Sequence, residues 1–238
     1  MGSDATGIQP RYFGTREQYG DLYDFIRDQS GLLETHDAAA EIGVLINGDE
    51  AGAYSAFCLQ LAARQLPFRV VLGTSRYARV PVRAENVSGL RLLVACSPVS
   101  TFCAEDQSVL CAARASGLLR IVPATADIAA LARAMDLDLL RMEGPENIYA
   151  FLRADRTNRS VAIHIVNWNL GGSDAERAEK YGGVTVALLH PERWGDVAKA
   201  IWSAPGEPSV TLTPERHGDC LRVTLPRLST WGILRLSQ

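Results

Sequence analysis

The chain has 238 residues, of which 47% are hydrophobic and 21% charged, and its net charge is −3. That balance belongs to an ordered globular chain, and the length fits one large domain or two modest ones. The small negative charge gives no electrostatic case for binding nucleic acid or an anionic membrane surface, and no run of about 18 apolar residues exists to span a bilayer.

Lys180 and Lys199 are the only lysines, so the positive charge is almost all arginine. We read this as the composition bias of a bacterial genome rather than as phosphate binding. The opening MGSDATGIQPRYFGTREQYG lacks the apolar core of a signal peptide and reads as part of a longer chain, cytoplasmic or secreted with it. Cys58, Cys96, Cys103, Cys111 and Cys220 are odd in number and irregular in spacing, which argues against a disulfide framework or a zinc site. No cofactor or metal is expected.

In chain order, residues 15–35 read as a helix, with Tyr19, Leu22, Tyr23, Phe25 and Ile26 near helical spacing and Gly31 as a stop. Ile42–Ile46 is a short apolar run suited to a strand buried on both faces. A turn at Asn47-Gly48-Asp49-Glu50 leads to a helix over 53–65, ended by Gln65-Leu66-Pro67. Phe68–Leu72 is the second strand, and a polar loop carries Arg76 to Asn86. Leu90–Ala95 is the third strand. Ser100 or Thr101 is the expected cap of a helix over 102–115, which Gly117 ends. Leu118–Val122 is the fourth strand, and Thr125 the expected cap of a short helix through Met135. Strands alternating with helices imply right-handed crossovers and a parallel sheet.

Near residue 140 the pattern changes. Asn147–Arg153, Ser160–Trp168, Val184–Leu189, Ser209–Leu212, Leu221–Leu225 and Trp231–Leu236 are short strands separated by Gly, Pro and Asp turns. They predict a small antiparallel β-sandwich. The expected division is a helical segment at 1–36, an α/β domain at 37–140 and the β-sandwich at 141–238.

Three segments carry a family resemblance. YFGTREQYGDLYDFIRDQSGLL resembles the helix leaving the catalytic barrel of certain bacterial glycoside hydrolases. RLLVACSPVSTFCAEDQSVLCAARASGLLRIV resembles the strand, loop, helix, glycine and next strand of their class I glutamine amidotransferase-like domain, as in the beta-galactosidase trimerisation domain. SVAIHIVNWNL with LRVTLPRLSTWGILRL resembles paired strands of the terminal β-domain. The resemblance implies a flavodoxin-like, amidotransferase-like sheet followed by a β-domain. It also implies a role in assembly or active-site shaping beside an upstream barrel, or self-association. Active amidotransferases place a cysteine in a Gly-rich elbow after the strand matching Leu118–Val122. Here that strand runs into Pro123-Ala124-Thr125, so the turn that exposes and activates a thiolate is missing.

Other chemistry stays open at this stage. Glu105 and Asp106, in the first turn of a helix after a parallel strand, have the position for one carboxylate of an acid/base pair, with Asp49 or Glu50 as the second; otherwise they complement the helix dipole. Glycoside hydrolysis needs two carboxylates about 5–9.5 Å apart. Asp127 is similarly placed. Cys96 ends a parallel strand, where open α/β sheets bind ligands, as a nucleophile or as a small apolar filler. Trp168 and Trp194 are the candidates for stacking on sugars, against their commoner role in packing. His164 alternates with apolar neighbours and belongs on one sheet face; His190 and His217 fall in turns, and no HxH or HExxH spacing supports a metal. Asn86-Val87-Ser88 and Asn158-Arg159-Ser160 match glycosylation sequons, which mean little in a bacterial chain. The functional classes in play are an accessory module of a polysaccharide-acting glycoside hydrolase, a self-sufficient cellulase-like hydrolase, and a carbohydrate-binding module.

Overall fold

The computed structural model of the chain describes residues 16–47, 51–75, 79–155, 160–169 and 179–238. The predicted first helix divides into α1 (Arg16–Asp28) and α2 (Ser30–Thr35), broken at Gln29. Gly31 therefore lies inside α2, and the chain leaves the helix at His36, whose backbone is extended. Of the apolar stripe, Phe25 is buried while Tyr23 and Ile26 stay exposed. β1 (Asp37–Ala38) follows, too short for any periodicity to show.

Next comes a parallel sheet. β2 (Ile42–Ile46), α3 (Ala51–Ala63), β3 (Phe68–Leu72), α4 (Ala84–Val87), β4 (Leu92–Ala95), α5 (Ala104–Ala115), β5 (Leu119–Ile121) and α6 (Ile128–Ala134) follow one another, and the strand order is β3-β2-β4-β5. Successive residues of β2 and β4 enter different cores. Ile42, Val44, Leu92 and Val94 meet Tyr54, Phe57 and Leu61 of α3 and Ile128 and Ala132 of α6. Leu45, Leu93 and Ala95 meet Leu110 and Ala113 of α5. Burial on both faces is why these strands read as unbroken apolar runs.

Two predicted caps are corrected. Val99–Thr101 forms a separate 3-10 turn and α5 starts behind Cys103, so neither Ser100 nor Thr101 caps it. Asp127, not Thr125, caps α6, its carboxylate accepting the Ala130 N–H at 2.9 Å. A carboxylate three residues before a free helical N–H satisfies an otherwise orphaned donor.

The remaining strands are β6 (Leu140–Glu143), β7 (Ile148–Asp155), β8 (Ser160–Asn167), β9 (Thr185–Leu189), β10 (Lys199–Ser203), β11 (Val210–Leu212), β12 (Glu215–His217), β13 (Cys220–Thr224) and β14 (Trp231–Ser237). They form two antiparallel sheets, β1-β7-β8-β14-β10-β11 and β12-β13-β9-β6. Ile148, Leu152, Val161, Ile163, Ile165, Val186, Leu188, Leu221, Val223 and Leu234 pack into one core between them. β6, β10 and β12 were not legible as strands. In β10 the large inward residue is Trp202, and it needs a missing side chain opposite. A Cβ on Gly232 would lie 2.2 Å from the indole ring.

One contact ties the parallel layer to the sandwich. Gln65, at φ +59°, ends α3 and turns its amide onto the outer edge of β7. Its Nε2 donates to the Ile148 carbonyl at 2.5 Å, and its Oε1 accepts the Ala150 N–H at 2.9 Å. Two residues further along the same edge, the Leu152 carbonyl accepts the Ala39 N–H at 3.0 Å. Gln65→Ala leaves a donor and an acceptor of β7 without this partner. We expect a loss of about 1–3 kcal/mol in urea denaturation, and faster amide exchange at Ala150 than at residues of β8.

Candidate functional site

Asp106 sits in the first turn of α5 and is completely buried. One oxygen accepts the Thr74 N–H at 2.7 Å; the other accepts the Thr74 hydroxyl at 2.9 Å and the Val82 N–H at 2.7 Å. The carboxylate thus pins both ends of the loop between β3 and α4. Three donors converge on it and none of its surface reaches solvent, so in this conformation no substrate atom can touch it. Glu105, beside it in sequence, is exposed on the helix surface. Asp49 and Glu50 lie outside the described residues.

Cys96 directly follows β4, is half-buried and packs against the core on the α3 side. Its neighbour Ser97 is buried and hydrogen-bonds the Tyr54 hydroxyl at 2.9 Å. After β5 the chain makes a turn in which the Ala126 N–H bonds the Pro123 carbonyl at 2.9 Å, and only then enters α6. Among the described residues no group of three or more His, Cys, Asp or Glu side chains could hold a metal ion.

The two tryptophans separate. Trp168 is 64% exposed at the end of β8. Trp194 is half-buried, closing a 3-10 turn (Pro191–Trp194), and lines a cleft of about 340 Å³ at the junction of the two layers. Glu41, Arg193, Asp155, Leu139 and Gly89 share that cleft. Glu41 is bridged by two guanidiniums, Arg193 at 2.6 Å and Arg91 at 3.3 Å. An aromatic wall, two acidic groups and a guanidinium held by Glu41 line this cleft, side chains of the kinds that stack on and hydrogen-bond hydroxyl-rich molecules. The sequence singles out Trp194 but not Glu41, which precedes β2, or Asp155, the last residue of β7, since neither belongs to a recognisable motif.

His164 is on the outer face of β8, as its alternation implied. It stacks on Trp231 at 6.0 Å between ring centroids, and Phe25 of α1 meets the same indole edge-on at 4.9 Å. Burial, with the nearby charge of Arg153 and His36, lowers its pKa from 6.5 to about 4. His190, in left-handed backbone, lies between Asp136 and Glu192, and His217 lies beside Glu215.

No family model matches the chain, and no curated protein matches its sequence. Solved structures do share its fold. Alpha-L-fucosidase isoenzyme 2 from Paenibacillus thiaminolyticus superposes with a TM-score of 0.65 at 11% identity, over 97% of this chain and 53% of that one. The rhamnosidase from Novosphingobium sp. PP1Y gives a TM-score of 0.52 at 14% identity, over 95% of this chain and 25% of that one. At such identities the likeness is one of fold. The chain spans about half the length of the first protein and a quarter of the second.

Two outcomes follow from these environments. Asp106→Asn keeps the shape but replaces one acceptor oxygen with an N–H₂ donor facing donors; we expect a loss of about 1–3 kcal/mol and protease cleavage within residues 73–82. The His164 shift sets a pH dependence. Between about pH 4 and 6.5 the unfolded chain holds a proton that the folded ring does not, so stability rises with pH across that window and is full above it. Acidifying from pH 7 to 4 should cost up to about 3 kcal/mol through this group. Denaturation midpoints of wild type and His164→Gln should converge at low pH; parallel curves would show that His164 carries none of the slope.

Proposed function

We propose that the chain is the accessory part of a larger carbohydrate-active enzyme, an amidotransferase-like α/β layer joined to a β-sandwich, which shapes or assembles a neighbouring active site. The observation that carries this reading is the use of Asp106. The strand-end carboxylate best placed for acid/base work spends its oxygens on Thr74 and Val82, and Glu105 stands apart on the surface. The strand order β3-β2-β4-β5, with helices on both faces, supports a flavodoxin-like layer. The printed names of the two similar structures, a fucosidase and a rhamnosidase, support a glycoside-hydrolase setting, and in each of them this unit is only part of the chain.

In this reading the units divide near residue 140, and β1 is a piece of the first unit lent to the edge of the second unit's sheet. The partners are an oligosaccharide or polysaccharide and either an upstream barrel or a second copy. A carbohydrate-binding contribution is favoured by one feature, the junction cleft with Trp194, Glu41 and Arg193.

Release of reducing sugar from cellulose and other polysaccharides, and of nitrophenol from α-L-fucoside and α-L-rhamnoside, tests the reading. The purified chain should release neither above a blank. Turnover by the purified chain that disappears in Glu105→Gln, a substitution at an exposed position, would make the chain a self-sufficient hydrolase and overturn the accessory role.

A further inference from the structure

We propose that Ser160 and His36 form a nucleophile–base pair that hydrolyses small acyl esters in the cleft between α2 and the six-stranded sheet. This goes beyond the accessory reading, and only the choice of a sugar as the alcohol rests on it.

The pair is assembled by topology. His36 follows α2 and immediately precedes β1, whose residues pair as Asp37 with Ala154 and Ala38 with Arg153 of β7. Arg153 Nε donates to the His36 carbonyl at 2.7 Å. These contacts set the imidazole beside the first residue of β8. His36 Nε2 lies 3.1 Å from Ser160 Oγ, and His36 Nδ1 lies 3.0 Å from Thr35 Oγ1.

The tautomer follows from counting protons. The Thr35 hydroxyl has one proton, and it is given to the Gly31 carbonyl at 2.6 Å. Thr35 Oγ1 can therefore only accept from the ring, so Nδ1 carries the hydrogen. Nε2 is left with its lone pair toward Ser160 and accepts the Ser160 O–H. That is the arrangement of a serine and its general base, with a threonine hydroxyl orienting the ring in place of the usual carboxylate. Burial holds the His36 pKa below its ordinary value, so the ring is in its neutral, proton-accepting form at pH 7; the negative charges of Asp155 and Asp37 act in the opposite sense, and the guanidiniums of Arg153 and Arg235 reinforce the lowering.

The pair also has access and a cation. His36 and half-buried Ser160 line an open cleft of about 510 Å³, together with Asp28, Asp155, Arg235 and Ser237. Arg235 points to the same face of the sheet as Ser160, because Arg235 pairs with Ala162 across β14 and β8. Among the described residues its guanidinium makes no hydrogen bond or ion pair, so it is available to a developing oxyanion. The lining mixes polar side chains with the apolar Leu32, which suits a short acyl group on a hydroxyl-rich alcohol, such as an acetylated sugar.

The chemistry balances without a further reagent. Ser160 Oγ attacks the ester carbonyl while its proton passes to His36 Nε2. The tetrahedral intermediate expels the alkoxide, which takes that proton and leaves as the alcohol. Water, giving its proton to Nε2, then attacks the acyl-serine, and the collapse returns the proton to Ser160 and releases the acid.

The test is hydrolysis of p-nitrophenyl acetate by the whole chain, with a fluorophosphonate probe located by peptide mass spectrometry. Wild type should turn over and carry the phosphonate on Ser160. Ser160→Ala, which removes one half-exposed hydroxyl, should keep the wild-type melting temperature within a few degrees and lose the adduct, with a rate about 10²–10⁴-fold lower. An unlabelled Ser160 in wild type, or equal rates in wild type and Ser160→Ala, overturns the proposal. Because the phosphonate is read on wild type, a His36→Gln variant that fails to fold does not blunt the test. Acetate release from p-nitrophenyl acetate but not from acetylated xylan retains the dyad and overturns the sugar assignment alone.

Discussion

The outer edge of β7 must be satisfied, and much of this molecule is arranged around that requirement. An edge strand presents a row of backbone donors and acceptors that are costly to bury unpaired and hazardous to expose. Here two different devices cover it. Ala39 and the two residues of β1 bond the edge from Leu152 to Ala154, and the side-chain amide of Gln65 takes Ile148 and Ala150. The first device comes from the segment entering the parallel sheet and the second from the end of its first crossover helix. One strand edge thereby joins both layers. The junction cleft, with Glu41 on one wall and Trp194 on the other, and the contact of His36 with Ser160 are consequences of the same docking.

Acidic residues in this fold do contrasting work according to what surrounds them. Asp106 is wholly buried and bonded to three donors, so its charge is spent on holding a loop. Asp127 satisfies one helical N–H at the surface. Glu41, half-buried between Arg91 and Arg193, spans the junction of the layers. Asp106 and Asp127 follow the carboxyl ends of sheet strands, where chemistry is expected in an open α/β sheet, whereas Glu41 precedes β2 at the opposite edge. Only the partners distinguish a structural carboxylate from an available one, and those partners lie far away in sequence. The Glu41–Arg193 pair is separated by 152 positions.

Fold likeness and site geometry address different questions. The likeness to a fucosidase and a rhamnosidase covers nearly all of this chain at 11% and 14% identity, which fixes the layer architecture and leaves chemistry to the residues. At α5 the buried Asp106 carboxylate is bonded to Thr74 and Val82, and clefts open at the junction of the layers and under α2.

The sequence by itself determined the layer order. The unbroken apolar run at Ile42–Ile46 announced a strand buried on both faces, and the strand–helix alternation a parallel sheet; the alternation in SVAIHIVNW announced an antiparallel strand, though its outer face is covered as well, with Ala162 and His164 buried. These patterns are local, since burial on one or two faces is written into neighbouring residues. Short or irregular strands stayed hidden. β1 has two residues, and in β10 the inward Trp202 is accommodated only because Gly232 leaves space across the sheet. Tertiary structure alone decided that Asp106 is a clasp, that Asp127 rather than Thr125 is the cap, and that Trp194 faces a cleft while Trp168 faces solvent. It alone also brought His36 to Ser160 across 124 positions. Each of these depends on which distant backbone group or side chain arrives at a given atom, and that is settled by sheet pairing and layer docking, not by periodicity along the chain.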